Sequence, residues 1–239
     1  MQKSGELWIN VTQSEREQIK DKLPQVALAE PSFVIITAFL ATLIFIFFLC
    51  RKLVRHSSAR VIAAIASIEL PLGQWTALLP LIDRCCKSSA VHERELGTFV
   101  LFTVLESIVE GFQEYVPQLF SLFETLLQDP QSAEVRVTAV RALGVIAQYI
   151  SADEKSEIKS FQSLIPAMIA VIQQCLEGGD EQGARQLFDV FETLLILEVP
   201  LLSKHIPPLV QFFLQCGATR NYDDELRIMA LNALSWTVK

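Results

Sequence analysis

The stretch that decides the fold is residues 134–150, EVRVTAVRALGVIAQYI, in which apolar residues recur every three or four positions. This spacing is the period of an α-helix with one apolar face. The stretch opens with an apolar residue followed by arginine, and similar openings recur 39, 42, 49 and 42 residues apart, at Arg55, Arg94, Arg136, Arg185 and Arg227. We interpret these helices as one member of a repeated unit.

A second series of helices carries a proline inside a hydrophobic segment and alternates with the first. The prolines are spaced 37, 49 and 41 residues apart, at Pro80, Pro117, Pro166 and Pro207. Proline is tolerated early in a helix and bends it further in. Two helices per period of roughly forty residues are typical of HEAT or armadillo arrays. The sequence therefore predicts an all-α fold, an α-solenoid of HEAT repeats made of paired antiparallel helices.

The arginine at the start of each second helix is expected to pair with an acidic group of a neighbouring repeat. The alternative is that it is simply a solvated surface charge. Turn-rich segments at residues 128–134, 151–157 and 177–183 are the expected connections between helices. Ser14 and Glu17 have the spacing of a capping box that would open an earlier helix.

Composition limits the classes of function. The 239-residue chain has a formal net charge of −7 and a pI of about 5.1, so it lacks the basic excess that direct nucleic-acid binding requires. The N-terminal residues are polar and do not form a secretory signal. Five cysteines without CxxC spacing predict core thiols of a reduced, intracellular protein: Cys50, Cys85, Cys86, Cys175 and Cys216.

Residues 33–51, FVIITAFLATLIFIFFLCR, interrupt the repeat pattern. Pro24 lies in a first-helix pattern and precedes Pro80 by 56 residues, but removing these 19 residues reduces the spacing to 37, equal to that from Pro80 to Pro117. The pattern therefore predicts an apolar insertion between the paired helices of one repeat. It divides the chain into residues 1–32, the insertion at 33–51, and HEAT repeats at 52–239.

Three origins of this insertion were weighed. A transmembrane helix fits the length and the basic flank, whereas a buried extra helix would need a core that the repeat does not offer. The third is translated intron sequence, because Ser32-Phe33-Val34 can encode a GT donor and Cys50-Arg51 an AG acceptor. Splicing there removes 57 nucleotides and keeps the reading frame. We favour the intron interpretation.

Several long strings resemble one family. LWINVTQSEREQIKDKLPQ is similar to the end of the N-terminal domain of importin-β (karyopherin-β) nuclear transport receptors. VRHSSARVIAAIASIELPLGQW, VRVTAVRALGVIAQYI, GARQLFDVFETLLILE and RNYDDELRIMALNALSWTV resemble the importin subunit beta-4 branch, its fungal members in particular. The resemblance covers the chain except residues 33–51. Because family members are much longer, we expect this chain to be a fragment from near the N-terminus.

The resemblance implies a nuclear import receptor that shuttles between cytoplasm and nucleus. The second-helix face would bind the GTPase Ran and basic cargo proteins, such as ribosomal proteins or histones. The first-helix face would bind phenylalanine-glycine (FG) repeats of nucleoporins, and Ran-GTP would release the cargo. No cofactor and no direct contact with nucleic acid are implied, and contact with a membrane only if residues 33–50 are a genuine segment.

Candidate contact residues can be named within this scheme. Asp223, Asp224 and Glu225, which precede a second helix, are the acidic candidates for partner binding. Phe120 and Phe123 are candidates for aromatic docking, although for both a position in the core is the favoured interpretation. All five residues are expectations from sequence position.

No catalytic or metal-binding constellation is apparent. His56, His92 and His205 fall in different repeats, and none has metal-ligand spacing to cysteine or carboxylate. Glycines 178, 179 and 183 do not follow a strand and so do not indicate a phosphate-binding loop. The sequence predicts a protein that is not an enzyme. The alternatives to a transport receptor are a membrane-anchored HEAT scaffold and a truncated gene product without function.

Overall fold

The computed structural model describes residues 8, 11–28, 40–108, 112 and 115–237, with side chains described throughout except at 26, 27 and 40–54. These residues form helices and connecting loops, with no strand among them. The helices are α1 (Gln13–Leu28), α2 (Leu40–Glu69), α3 (Leu78–Cys86), α4 (Val91–Ile108), α5 (Val116–Leu127), α6 (Ala133–Ala147), α7 (Lys155–Glu177), α8 (Glu181–Ile196), α9 (Ile206–Ala218) and α10 (Asp224–Thr237). The all-α prediction is confirmed.

The chain divides into two compact units, residues 1–108 and 109–239. In the first unit, α1 pairs with α2 and α3 pairs with α4, and the two second helices α2 and α4 pack on each other. A 3-10 turn at Leu70–Leu72 follows α2. Gly73 then adopts a φ of 68°, a left-handed conformation that costs glycine little.

The second unit contains three helix pairs, α5 with α6, α7 with α8, and α9 with α10. The second helices pack in sequence, α6 on α8 and α8 on α10, and the first helices α5 and α7 also pack together. Large aromatic side chains fill the interior and are fully buried: Phe123, Phe161, Phe188, Phe191 and Phe213. Burying each phenylalanine contributes roughly 2–3 kcal/mol of transfer free energy. This stacking of helix pairs is the HEAT arrangement that the spacing predicted.

The prolines lie in the first helices, as predicted. Pro117 and Pro207 occupy the first turns of α5 and α9, where the missing N–H donor is not needed. Pro80 is the third residue of α3. Pro24 and Pro166 lie inside α1 and α7, respectively. The alternation of proline-containing and arginine-containing segments in the sequence therefore predicted the first and second helices of the repeat correctly.

The predicted insertion is only partly within the described residues. Positions 33–39 lie outside them, and positions 40–51 belong to α2, which runs from Leu40 to Glu69 without a break. The second helix of this repeat therefore begins well before Lys52, where the sequence analysis expected it. No glycine or proline interrupts residues 40–69, so the local sequence contains nothing that ends a helix. Within the part of the chain that the structure describes, no helix has the length and apolar character needed to cross a membrane.

The start of α1 differs from the prediction by two residues. The side chain of Thr12 accepts a hydrogen bond from the backbone N–H of Glu15, and the backbone N–H of Thr12 donates to the Glu15 carboxylate at 3.0 Å. This reciprocal pair is a capping box. The predicted box of Ser14 and Glu17 is wrong, because the helix has already begun at Gln13.

Candidate interaction surface

The arginines that marked the repeat lie on the second helices. Arg94, Arg136 and Arg227 are the fourth residues of α4, α6 and α10, and Arg185 is the fifth of α8. Arg55 lies in the middle of α2, because that helix extends further toward its N-terminus. In α4, α6 and α10 this position brings the guanidinium close to the loop or helix end that precedes the helix, and in α8 it brings the guanidinium close to the start of α10.

Arg55 and Arg185 pair with carboxylates of the following repeat. Arg55 lies 3.3 Å from a carboxylate oxygen of Glu95 on α4. Arg185 lies 2.8 Å from Asp223 and 3.2 Å from Glu225, which flank the start of α10. The expected inter-repeat pairing is confirmed at these positions. Because the side chains are partly exposed, each pair contributes only about 0.2–1 kcal/mol.

The other three arginines bond carbonyl oxygens of the preceding loop or first helix. Arg94 donates to the carbonyls of residues 88 and 89, both at 3.0 Å. Arg136 donates to the carbonyl of residue 129 at 2.6 Å, and Arg227 to that of residue 217 at 3.2 Å. Carbonyls at the end of a helix lack intrahelical donors, so a nearby guanidinium satisfies them. Arg227 also pairs with Asp224 of its own helix at 2.7 Å.

The three predicted acidic residues lie together at the start of α10. Asp223 and Glu225 both contact Arg185, while Asp224 contacts Arg227. Carboxylates at a helix N-terminus also interact favourably with the helix dipole. The structure thus brings Asp223, Asp224 and Glu225 to one place, next to α8.

Two further carboxylates on α8 and an indole on α10 belong to the same surface. Burial and the negative charges of Glu192 and Glu225 raise the pKa of Asp189 above its ordinary value. Glu192 accepts a hydrogen bond from the Trp236 indole at 3.0 Å. The sequence analysis missed these residues. Asp189 and Glu192 follow Arg185 by four and seven positions, the spacing of a single helix face, so the sequence places them beside Arg185 but not beside the carboxylates of α10.

We call this surface the acidic face and define it by its carboxylates: Glu181, Asp189, Glu192, Asp223, Asp224 and Glu225. Its six carboxylates are accompanied by the two guanidinium groups of Arg185 and Arg227. The negative charge therefore exceeds the positive charge. Burial is the larger cause of the raised pKa of Asp189, and the negative charges of Glu192 and Glu225 add to it. A cationic partner would reduce the repulsion among these carboxylates.

The proposed aromatic docking residues are core residues instead. Phe123 is fully buried, and Phe120 is 5% exposed and meets Phe161 edge-on with ring centroids 6.1 Å apart. Both side chains point from α5 into the interior of the second unit. Neither presents a ring or a slot to a partner in this structure, so the favoured interpretation of both as core residues is confirmed and the docking alternative is wrong.

The cysteines behave as core thiols. Cys85, Cys86, Cys175 and Cys216 are free and buried, as predicted, whereas Cys50 falls where side chains are not described. Burial raises the pKa of Cys86 to about 12 and those of Cys175 and Cys216 to about 11. At neutral pH these groups are therefore thiols, which are poor nucleophiles.

The histidines make local contacts. His56 stacks on Phe99 with ring centroids 3.9 Å apart, and the Nε2 atom of His205 lies 3.0 Å from the carbonyl oxygen of Gln162. Across the described ranges, no group of three or more His, Cys, Asp or Glu side chains is arranged to hold a metal ion.

Comparison with known proteins identifies related sequences. A family model described as "IPO5-like, TPR repeats" matches residues 51–212. The probable importin subunit beta-4 of Schizosaccharomyces pombe is 29% identical over 225 residues, which cover 94% of this chain and 19% of that protein. Importin-4 of Mus musculus is 25% identical over 168 residues, covering 70% of this chain and 15% of that protein. The chain thus spans less than a fifth of the length of these relatives.

Solved structures show the same fold. A crystal structure of Kap121p superposes with a TM-score of 0.70 at 20% sequence identity, covering 96% of this chain and 20% of Kap121p. Kap121p bound to Nup53p gives a TM-score of 0.69 at 20% identity, covering 95% of this chain and 19% of Kap121p. At this identity the likeness establishes a shared HEAT-type fold.

Proposed function

The chain belongs to the importin-β family of nuclear transport receptors, and from this premise we propose that it is the part of a nuclear import receptor that binds basic cargo. Family members are transport receptors and not enzymes. Membership is consistent with nucleocytoplasmic shuttling. The basic cargo proposed from the sequence, such as ribosomal proteins or histones, would bind the acidic face of α8 and α10.

The excess of carboxylates on the acidic face is the observation that carries this proposal. Its six carboxylates outnumber the two guanidinium groups that contact them, and burial, followed by the charges of Glu192 and Glu225, raises the pKa of Asp189. A lysine-rich segment of a cargo protein would supply that missing charge. Such pairing speeds encounter and selects basic partners more than it increases intrinsic affinity. It also permits release, because partly exposed pairs are individually weak.

Two further partners complete the proposal. Ran in its GTP form would bind the same chain and release the cargo, and FG-repeat nucleoporins would bind the first-helix face. Structures of Kap121p bound to Nup53p, Ulp1p and Pho4p support the general idea that an importin of this fold binds both nucleoporins and cargo.

Neutralising the acidic face tests the proposal. The triple variant Asp189→Asn, Glu192→Gln, Glu225→Gln removes three carboxylates while keeping side-chain size. We expect it to bind a fluorescent lysine-rich peptide on the order of tenfold more weakly than the unmodified chain, because each exposed charge pair contributes about 0.2–1 kcal/mol. Fluorescence anisotropy at low and at physiological ionic strength measures the affinity.

A matched variant controls for net charge. Glu124→Gln, Asp153→Asn, Glu198→Gln removes the same number of carboxylates from exposed positions elsewhere in the second unit. It should bind the peptide nearly as tightly as the unmodified chain. Equal weakening by both triple variants would show that only overall charge matters, and the acidic face would then not be the cargo site.

A further inference from the structure

The first helix is held in place by a charged side chain. Among the α1 side chains that the structure describes, Lys20 alone is fully buried, with 5% exposure, while Ile19 and Leu23 remain half-buried. A helix normally packs through an apolar face. The helix α1 instead inserts an ammonium group into the first unit.

A carboxylate at the end of α2 receives this ammonium. The Nζ atom of Lys20 lies 2.5 Å from Glu69, which is 1% exposed, and 2.8 Å from Glu17 on its own helix. The second oxygen of Glu69 accepts from the Trp8 indole at 3.1 Å. Lys20 also lies 6.0 Å from the centre of the Trp75 ring, at the limit of a cation–π contact.

The loop that carries Trp75 is held in an unusual conformation. Trp75 has a φ of 53°, the left-handed region that side chains other than glycine rarely adopt. Its ring thereby lies beside the ammonium. Residual backbone strain of this kind persists where the surrounding structure supports it, and it often accompanies a binding site.

Lys20 remains charged in this environment. Burial alone would lower its pKa, but the hydrogen bonds to Glu17 and Glu69 and the charges of these carboxylates outweigh that effect, and the pKa is raised. Glu69 therefore faces a full positive charge. If Lys20 left, Glu69 would keep only the indole donor among its described partners, and an unpaired buried carboxylate is costly.

We propose that Glu69 and Trp75 form a binding site for a primary ammonium group, which Lys20 fills as an internal ligand. The helix α1 is then an autoinhibitory strap: when it detaches, the site accepts a lysine side chain of a partner protein. We call Glu69 and Trp75 the ammonium site. It is built from residues of the first unit alone and does not depend on the proposed role of the acidic face.

Among the described side chains of α1, the one that is buried makes an ionic contact, whereas Ile19 and Leu23 are only half-buried. Opening of α1 exposes both charges to water, and their solvation offsets part of the cost of separating the pair. A helix that packs through an apolar face has no such compensation, because exposing apolar surface to water is unfavourable. Segments of this kind open locally at low free energy. The replacement ligand must be cationic, since Glu69 otherwise remains unpaired.

Hydrogen exchange of the whole chain, with n-butylammonium as the probe, tests the proposal. In the variant Lys20→Met, amides of residues 13–28 should exchange at least about tenfold faster, because the ionic contact is gone. Amides at the end of α2, residues 62–69, should also exchange faster. Adding n-butylammonium should restore protection of residues 62–69, whereas n-butanol at the same concentration should not.

Two control variants make each outcome decisive. Lys20→Arg keeps the charge and should leave exchange of residues 13–28 close to that of the unmodified chain. The double variant Lys20→Met, Glu69→Gln should show no response to n-butylammonium, because the carboxylate is absent. Unchanged exchange of residues 13–28 in Lys20→Met would overturn the strap, as would faster exchange throughout residues 78–108. A failure of n-butylammonium to protect residues 62–69 would overturn the ammonium site.

Discussion

Gly97 illustrates how one residue position determines the packing of two helices. It lies on α4 against the end of α3, where a Cβ atom would be 2.7 Å from the Cβ of Cys85 and 2.8 Å from the backbone nitrogen of Cys86. Helix propensity alone favours alanine over glycine by about 1 kcal/mol. Here the absence of a side chain allows two helix backbones to approach, and backbone atoms cannot move aside.

We therefore expect Gly97→Ala to lower the free energy of unfolding by about 1–3 kcal/mol, the usual cost of overpacking a core. Gly217→Ala is the matched control, because the nearest atoms to its Cβ are the flexible end of Leu231, which is 48% exposed. That variant should be close to neutral. Denaturant unfolding followed by circular dichroism measures both, and equal effects would contradict the packing argument.

Residue-level contacts were only partly predictable from the sequence. The arginine spacing predicted inter-repeat pairs, and Arg55 and Arg185 form them. Arg136 and Arg227 instead satisfy nearby carbonyl oxygens, because a guanidinium near a helix start has both partners within reach. The choice between them depends on loop conformation. Sequence spacing carries no information about that conformation.

At the scale of helices, the repeat could be predicted almost entirely. Proline-containing and arginine-containing helices alternate in the structure as in the sequence, because each pair must bury an apolar face against its neighbours. The residues at which helices begin could be predicted less well. Two overlapping Ser/Thr-x-x-Glu patterns precede α1, at Thr12 and at Ser14, and local sequence does not distinguish them. In the structure Thr12 forms the capping box with Glu15.

The helix α2 raises the question of what residues 33–51 contribute. In residues 55–69, the part of α2 whose side chains are described, Arg55 pairs with Glu95, and Ala59 and Ala66 are fully buried. These residues all follow position 51. Because removing residues 33–51 restores the proline spacing of the repeat, we expect the first unit to keep its packing without the segment.

A chain that lacks residues 33–51 should retain helical content and unfold within a few degrees of the full chain. Thermal unfolding followed by circular dichroism measures this. A deletion of the same length at 181–199, which removes α8, should abolish cooperative unfolding of the second unit. Loss of the first unit's structure in the shorter chain would show that the segment is integral.

Independently, an intron origin requires GT and AG at the stated codons in genomic DNA.

The whole molecule consists of two compact units with HEAT-type pairing, and its proposed role rests on coupling between binding events. The family and the fold could be inferred from long strings of sequence. The acidic face could be predicted only in part, because Asp189 and Glu192 acquire their importance from carboxylates on a different helix. Carboxylates from two helices come together only when the helices pack, so a short stretch of sequence cannot reveal their combined charge.

The proposed release of cargo predicts antagonism between two ligands of the chain. If Ran-GTP and basic cargo favour different conformations, each must weaken binding of the other by the same factor. We expect saturating Ran-GTP to reduce the affinity for the lysine-rich peptide about fivefold or more, the lower range of measured couplings. Ran-GDP is the control and should have little effect. Anisotropy titrations with and without Ran measure the factor. If Ran-GTP binds the chain and the peptide affinity stays the same, the two sites are uncoupled and cargo release cannot be a property of this segment.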